Sequence, residues 1–149
     1  MAVEPGLART VRYLTPVTRF PVDRVTDDAQ ARDFDGAVLP GGMVNADRLR
    51  GDAAAVDFLM EMFETGKPVG AVRHGLGPLI DGGLVCGRTV TSAPGMQTDL
   101  RNAGADWVDR EVVLCCQGLN TLVTCPRPED LGAFCRELSA TLTETGATA

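Results

Sequence analysis

GKPVGAVRHGLGPLI, residues 66–80, decides how this chain is read. It opens on a glycine turn and continues as KPVGAV, a short apolar run of the kind buried in a sheet. A sharp bend carrying Arg73 and His74 follows, and then HGLGPLIDGG, a short helix closed by glycines. A strand-to-helix bend sets its apex side chain at the mouth of a site and aims the backbone N–H groups of the following helix at whatever sits there. A non-glycine residue forced into an unfavourable φ/ψ at such an apex costs about 1–3 kcal/mol. The apex here is an arginine.

Outward from this stretch, strands and helices alternate. TVRYLTP (10–16) reads as a strand stopped by a proline, and FPVDRVT (20–26) as a short edge strand. DDAQARDFD (27–35) connects to GAVLPGG (36–42), a buried strand running into a turn. ADRLRGDAAAVDFLMEMFETG (46–66) has helical periodicity, with Val56, Leu59, Met60 and Phe63 forming one apolar stripe and Met62 nearer its edge. Asp52 suits an N-cap within it, and Gly66 suits the position just past its end. After the central stretch come a strand GRTVTS, a helix GMQTDLRNAG ended by Gly104, a hairpin from WVDREVVLCC and NTLVTC, and a last helix PEDLGAFCRELSATL. Residues 143–149 read as a frayed tail. The alternation predicts one α/β domain over residues 1–149, with a largely parallel sheet covered by helices on both faces. Ligands of such sheets bind at the carboxyl ends of strands. Two ends stand out: VLPGG (38–42) and AVRHG (71–75).

Composition narrows the function. The chain has 149 residues, 44% of them hydrophobic, enough for one real core. The net charge of −6 argues against nucleic acid, whose binders need a basic face. No apolar run approaches the roughly 18 residues of a membrane span, and no leader pattern opens the chain, so a cytoplasmic protein is expected. The five cysteines are an odd number without a C-x-x-C pair, which favours reduced thiols over a disulfide framework. Their spacing gives a metal site no support, and no cofactor is expected.

The candidate site gathers at the two strand ends. Paired glycines after a buried strand, Gly41 and Gly42, let backbone N–H groups approach a ligand or a developing oxyanion; the alternative is a plain tight turn. His74, the chain's one histidine, is either a structural residue or a general base. Among the cysteines, Cys125 at a strand end is the best candidate for a functional thiol, and the alternative is a small buried hydrophobe. Trp107 reads as packing or subunit contact, and SAPG (92–95), with Pro94, as a border of the pocket.

DFDGAVLPGG, AVDFLMEMFETGKPVGAVRHG, GRTVTSAPGMQTDLRNAGADWVD and VTCPRPEDLGAFCREL, taken in this order, resemble the ThiJ/PfpI superfamily, a group of stress proteins, proteases and deglycases. The resemblance runs from about Val11 to Leu138. It implies a flavodoxin-like three-layer sandwich with a small hairpin, a homodimer or larger homo-oligomer, and a Cys–His site with an acidic member from the first strand's loop. The nucleophile position falls on Arg73 and the histidine on His74. The oxyanion donors fall on Gly41, Gly42 and the backbone after the elbow, including Gly75. Two departures follow. Arginine is neither a thiolate nor, at neutral pH, a base, so Cys-dependent protease or deglycase chemistry is excluded from this position. RYLTP matches the family's second strand, so the first strand is expected to be lacking. Glu4 is then either a remnant of the acidic member or a non-catalytic position.

Arg73 has three readings: a relic that reaches solvent or a carboxylate, a fork that recognises a carboxylate or phosphate, or a holder of an oxyanion or enolate while His74 moves a proton. The leading function is a small-molecule protein of the stress-associated kind that binds an anionic or carbonyl compound at Arg73, His74, Gly41 and Gly42. The alternatives are a cofactor-free hydrolase, lyase or hydratase, and a non-catalytic structural or partner-binding protein whose partner supplies the first strand.

Overall fold

A computed structural model describes residues 4–12 and 15–146. The central sheet has four strands in the order β3 (Ala37–Leu39), β4 (Val69–Val72), β8 (Leu122–Cys125) and β7 (Val113–Cys115). The first three run parallel and β7 closes the edge antiparallel, forming the hairpin expected from NTLVTC. β4 lies at the centre because VGAV needs no polar face, and all four of its residues are buried.

The two faces follow the period-two alternation of a strand. Val69 and Ala71 of β4, with Leu122 of β8, join the larger core beneath Phe58, Leu59, Met62 and Phe63. Val72, with Val123 and Cys125, faces Phe134 and Leu138 on the other side. Gly70 also lies on that second face, and a Cβ there would meet Phe134 at 2.7 Å. The larger core is covered by α2 (Ala53–Glu64), α3 (Gly77–Asp81) and α4 (Gln97–Asn102), and the smaller by α5 (Leu131–Gly146). These are the three layers expected of an α/β sandwich.

The segment 46–66, whose expected N-cap is Asp52, holds the helix that cap predicts and a second helix before it. α1 (Met43–Arg50) starts directly after the glycine pair, and α2 begins at Ala53. Asp52 separates them: its carboxylate accepts the N–H of Ala54 at 3.2 Å and the hydroxyl of Thr26 at 2.6 Å. At the other end Gly66, at φ 75°, lets Lys67 N–H reach Met62 O and Gly66 N–H reach Phe63 O, a Schellman closure. The buried stripe of α2 is Ala55, Phe58, Leu59, Met62 and Phe63. Met62, expected at the margin, is 0% exposed, and Met60, expected in the stripe, is 37% exposed. The helix is rotated because its neighbours lie on the 55/59/62 side.

Two further readings change. The apolar segment at 10–16 spans parts of two antiparallel strands, β1 (Leu7–Arg12) and β2 (Thr15–Pro21), paired Leu7 to Pro21 and Arg12 to Thr15. Residues 13 and 14 of that segment lie outside the described residues. The stretch 20–26 leaves the strand at Pro21 and enters a 3-10 turn at Thr26. β3, expected to be buried, is an edge: among the described residues it pairs with β4 alone, and Val38 is 52% exposed. GRTVTS contributes a two-residue strand, β5 (Thr89–Val90), parallel to β6 (Asp106–Trp107). α5 continues through Gly146, into the stretch expected to fray, and 147–149 lie outside the described residues.

Candidate functional site

β4 ends at Val72, and the chain turns at once. Arg73 sits at φ 56°, the one non-glycine residue with a positive φ among the described residues. A left-handed backbone places Cβ against the following carbonyl and costs an L-residue roughly 1–2 kcal/mol. Residues 73–76 form a 3-10 turn that leads into α3. This is the elbow expected from AVRHG.

Neighbouring backbone holds the bend. Gly75 lies directly under the carbonyl oxygen of Leu39, where an added Cβ would collide with that oxygen. Gly41 faces the elbow from the end of β3: a Cβ there would stand 3.2 Å from Val72 O and 3.3 Å from Arg73 Cβ. Gly42, at φ 124°, turns the chain into α1, and its carbonyl accepts Ala46 N–H at 2.9 Å. The SAPG loop closes a third side. Ala93 N–H approaches Arg73 O at 3.5 Å, and Pro94 beside it is exposed. Trp107 supports this loop, its indole N–H donating to Ser92 Oγ at 2.9 Å. Arg73, His74, Gly41, Gly75 and the loop of Pro94 are therefore gathered around one bend.

Arg73 is half-buried. Its Nε is buried with no hydrogen-bond partner, and no carboxylate of the described residues pairs with it. A buried donor left unmade costs about 1–3 kcal/mol. His74, also half-buried, has its pKa lowered, first by loss of hydration and then by the Arg73 charge, so the imidazole is neutral at pH 7. The elbow thus carries a fixed cation with a free donor next to a neutral imidazole. This pair can hold an oxyanion and accept a proton beside it.

Cys125 does not join them. It stands opposite Val72 in the sheet register, but its side chain is fully buried in the second core with Phe134 and Leu138. Burial, reinforced by Asp130 and Cys135, pushes its thiol up to about 11, so it is protonated at neutral pH and shielded from solvent. The last residue of β8 faces α5, which places Cys125 in the second core, away from the elbow. Glu4 pairs at 3.8 Å with Arg48 on α1, both side chains exposed. Among the described residues no cluster of His, Cys, Asp and Glu is arranged to hold a metal ion, and no helix is long and apolar enough to cross a membrane.

One polar cluster went unread in the sequence. Arg88, taken only as the start of a strand, is buried and bonded to Asn120. Nothing in the local sequence GRTVTS signals this burial, because Asn120 lies 32 residues away.

Comparison with known proteins gives this geometry its context. The family model described as the DJ-1/PfpI family matches residues 3–141. General stress protein 18 of Bacillus subtilis is 38% identical over 140 residues, 94% of this chain and 79% of its own. Protein/nucleic acid deglycase 2 of Escherichia coli is 36% identical over 137 residues, 92% of this chain and 77% of its own. Among solved structures, a two-domain protein of Anabaena variabilis with DJ-1/ThiJ/PfpI-like and ferritin-like domains superposes with TM-score 0.77 at 35% identity; the match covers 95% of this chain and 39% of that one. DJ-1beta of Drosophila melanogaster superposes with TM-score 0.70 at 25% identity, over 88% of this chain and 72% of its own. With the flavodoxin-like sandwich and the elbow in place, the chain belongs to the DJ-1/PfpI family.

Proposed function

We propose that this chain binds a small anionic or carbonyl compound at the elbow, through Arg73 with His74, Gly41, Gly42, Gly75 and the Pro94 loop, and that it does so without cysteine chemistry. The observation that carries this reading is the buried, unpartnered Arg73 Nε at a strained apex. A ligand oxygen there would satisfy a donor that the fold leaves unmade, and a guanidinium fork matches a carboxylate or phosphate. The relic reading asks Arg73 to pair with a carboxylate or reach into solvent; among the described residues no carboxylate pairs with it, which weighs against the first of these. Likeness to general stress protein 18 supports a stress-associated role. The same reading takes the protein as a cytoplasmic homodimer, which native mass spectrometry would test by counting copies.

A second reading rests on His74. Its lowered pKa leaves a neutral imidazole beside a cation at pH 7, the arrangement a cofactor-free hydrolase, lyase or hydratase needs to take a proton while Arg73 steadies the resulting anion.

The test uses the single histidine. Its Hε1 NMR resonance is followed while acetate, phosphate or methylglyoxal is added to the parent and to Arg73→Ala. A saturable shift in the parent that Arg73→Ala abolishes establishes recognition at the elbow. The same shift in both proteins, or none in either, overturns it. Consumption of methylglyoxal above the buffer rate, lost in His74→Ala, moves the assignment from binding to catalysis.

A further inference from the structure

At the opposite end of the sheet from the elbow, the chain buries a second arginine. Arg88 is 7% exposed, and its Nη1 and Nη2 donate to the carbonyl and side-chain oxygens of Asn120 at 3.1 and 2.6 Å. Asn120 in turn donates its amide to Lys67 O at 3.0 Å. Lys67 and Asn120 each stand two residues before a strand, β4 and β8, so this cluster marks the amino ends of the parallel strands, whereas Arg73 marks the carboxyl end of β4.

Both hydrogen-bond partners of the guanidinium are neutral. The guanidinium also lies over the face of Phe63, with Cζ 4.9 Å from the ring centroid. In a chain with 20 acidic residues, no carboxylate of the described residues reaches ion-pair distance of Arg88. A charge withdrawn from water without a counter-charge is costly, and the cost falls when an anion is brought to it. There is room for one. Arg88 lines a recess of about 280 Å³ together with Phe63, Leu84, Gly87, Gln117 and Gly118. Gly118, at φ 93°, keeps the space over the guanidinium clear: a Cβ there would come within 2.7 Å of Nη2. Phe63 and Leu84 give the recess an apolar wall and Gln117 a neutral polar one.

We propose that this recess is a binding site for a small oxyanion, a phosphate or carboxylate group on a compact organic body, held by the Arg88 guanidinium with Asn120 fixing its orientation. The site is separate from the elbow and does not depend on what binds there. The recess, about 280 Å³ and open to solvent, has room for an oxyanion carrying further heavy atoms. The net charge of −6 disfavours loose anion condensation over the surface, so saturable anion binding would report a built site.

The experiment is a titration of inorganic phosphate, and separately of acetate, into the native chain, read as a rise in melting temperature at ionic strength held constant with chloride. Gln117→Glu sets a carboxylate in the recess wall without touching Arg88 or its partners. It is expected to melt at or above the parent in chloride, since its carboxylate offers Arg88 a counter-charge, and to lose about tenfold or more in anion affinity, as like charges do when brought together. Arg88→Gln should abolish the effect if it folds; Gln117→Glu decides the matter if it does not. Arg73→Ala, which lacks the elbow guanidinium, should keep a rise in melting temperature of its own, and adding Gln117→Glu to it should weaken that rise about tenfold in affinity. The tighter of the two anions names the head group. The proposal is overturned if neither anion raises the melting temperature beyond chloride, or if Gln117→Glu leaves the response of Arg73→Ala unchanged, in which case Arg88 is a structural tie between β5 and the 116–121 turn. It is also overturned if Arg73→Ala alone removes the response, which would place the anion at the elbow.

Discussion

Gly75 sits so close beneath the carbonyl oxygen of Leu39 that no side chain fits between them. This contact joins the end of β3 to the turn after Arg73 and sets where the apex points. The obstacle is backbone, which cannot swing aside as a side-chain tip can. Gly75→Ala is therefore expected to destabilise the fold by about 1–3 kcal/mol, the usual penalty for overpacking, with Gly95→Ala, which has open space around its Cα, close to neutral. Urea unfolding of the two variants checks the contrast.

The strain at Arg73 can be isolated by comparing two substitutions that both remove the guanidinium. Arg73→Gly also removes the Cβ that disfavours φ 56°, whereas Arg73→Ala keeps it. The glycine variant is expected to be the more stable of the pair by about 1 kcal/mol, the left-handed penalty less the backbone entropy that glycine gives up. Equal stabilities in chemical denaturation would show that the apex is unstrained.

His74 gives a pH signature. Its folded pKa lies below the ordinary 6.5, so between the two values the unfolded chain binds more protons than the native one. Stability is then at its full value above pH 6.5 and falls as the pH drops through the folded pKa. Burial is the larger cause and the Arg73 charge the second. Arg73→Ala is accordingly expected to raise the titration midpoint of the single histidine partway toward its ordinary value. An NMR titration of Hε1 in both proteins reads this directly, and an unchanged midpoint would remove Arg73 from the electrostatics of the site.

The cysteines should divide cleanly in a labelling experiment. Cys86, Cys116 and Cys135 are exposed, whereas Cys115 and Cys125 are buried. Brief iodoacetamide treatment of the native protein at pH 8, read by peptide mass spectrometry, is expected to modify the first three and spare the last two. Cys125 is protected twice, by its packing and by a thiol held protonated to about pH 11. Rapid labelling at Cys125 would return it to the list of working thiols.

Much of the fold was legible because the central stretch obeys simple rules. KPVGAV is apolar on both faces and became the central strand; Asp52, Gly66 and Gly104 punctuate helices where capping chemistry says they should. The elbow was legible for a similar reason, since an apolar strand that breaks into R-H-G-L-G leaves little choice but a sharp turn. What stayed hidden depends on neighbours. The apolar run of β3 looks buried from its sequence, but burial takes a strand on each side, and Val38 has β4 on one side alone among the described residues. Met60 and Met62 are equally apolar, and only the placement of the sheet decides which of them turns inward. Cys125 looked available at a strand end, and the alternation of β8 turned it under α5. Arg88 is the hardest case. Nothing in GRTVTS says that its arginine is buried, because the groups that receive it, Asn120 and Phe63, lie more than twenty residues away on either side.

The bend at residue 73 is set by its surroundings: the Leu39–Gly75 contact, Gly41 behind the apex, and the Ala93 amide. None of these depends on the identity of the apex side chain. The position behaves as a socket, in which the mounting is fixed and the fitting can be exchanged. Replacing the fitting should change what the protein does at one spot in space without moving that spot. For an engineer this makes residue 73 a place to install new reactivity by a single codon change, on a scaffold that already supplies the orientation.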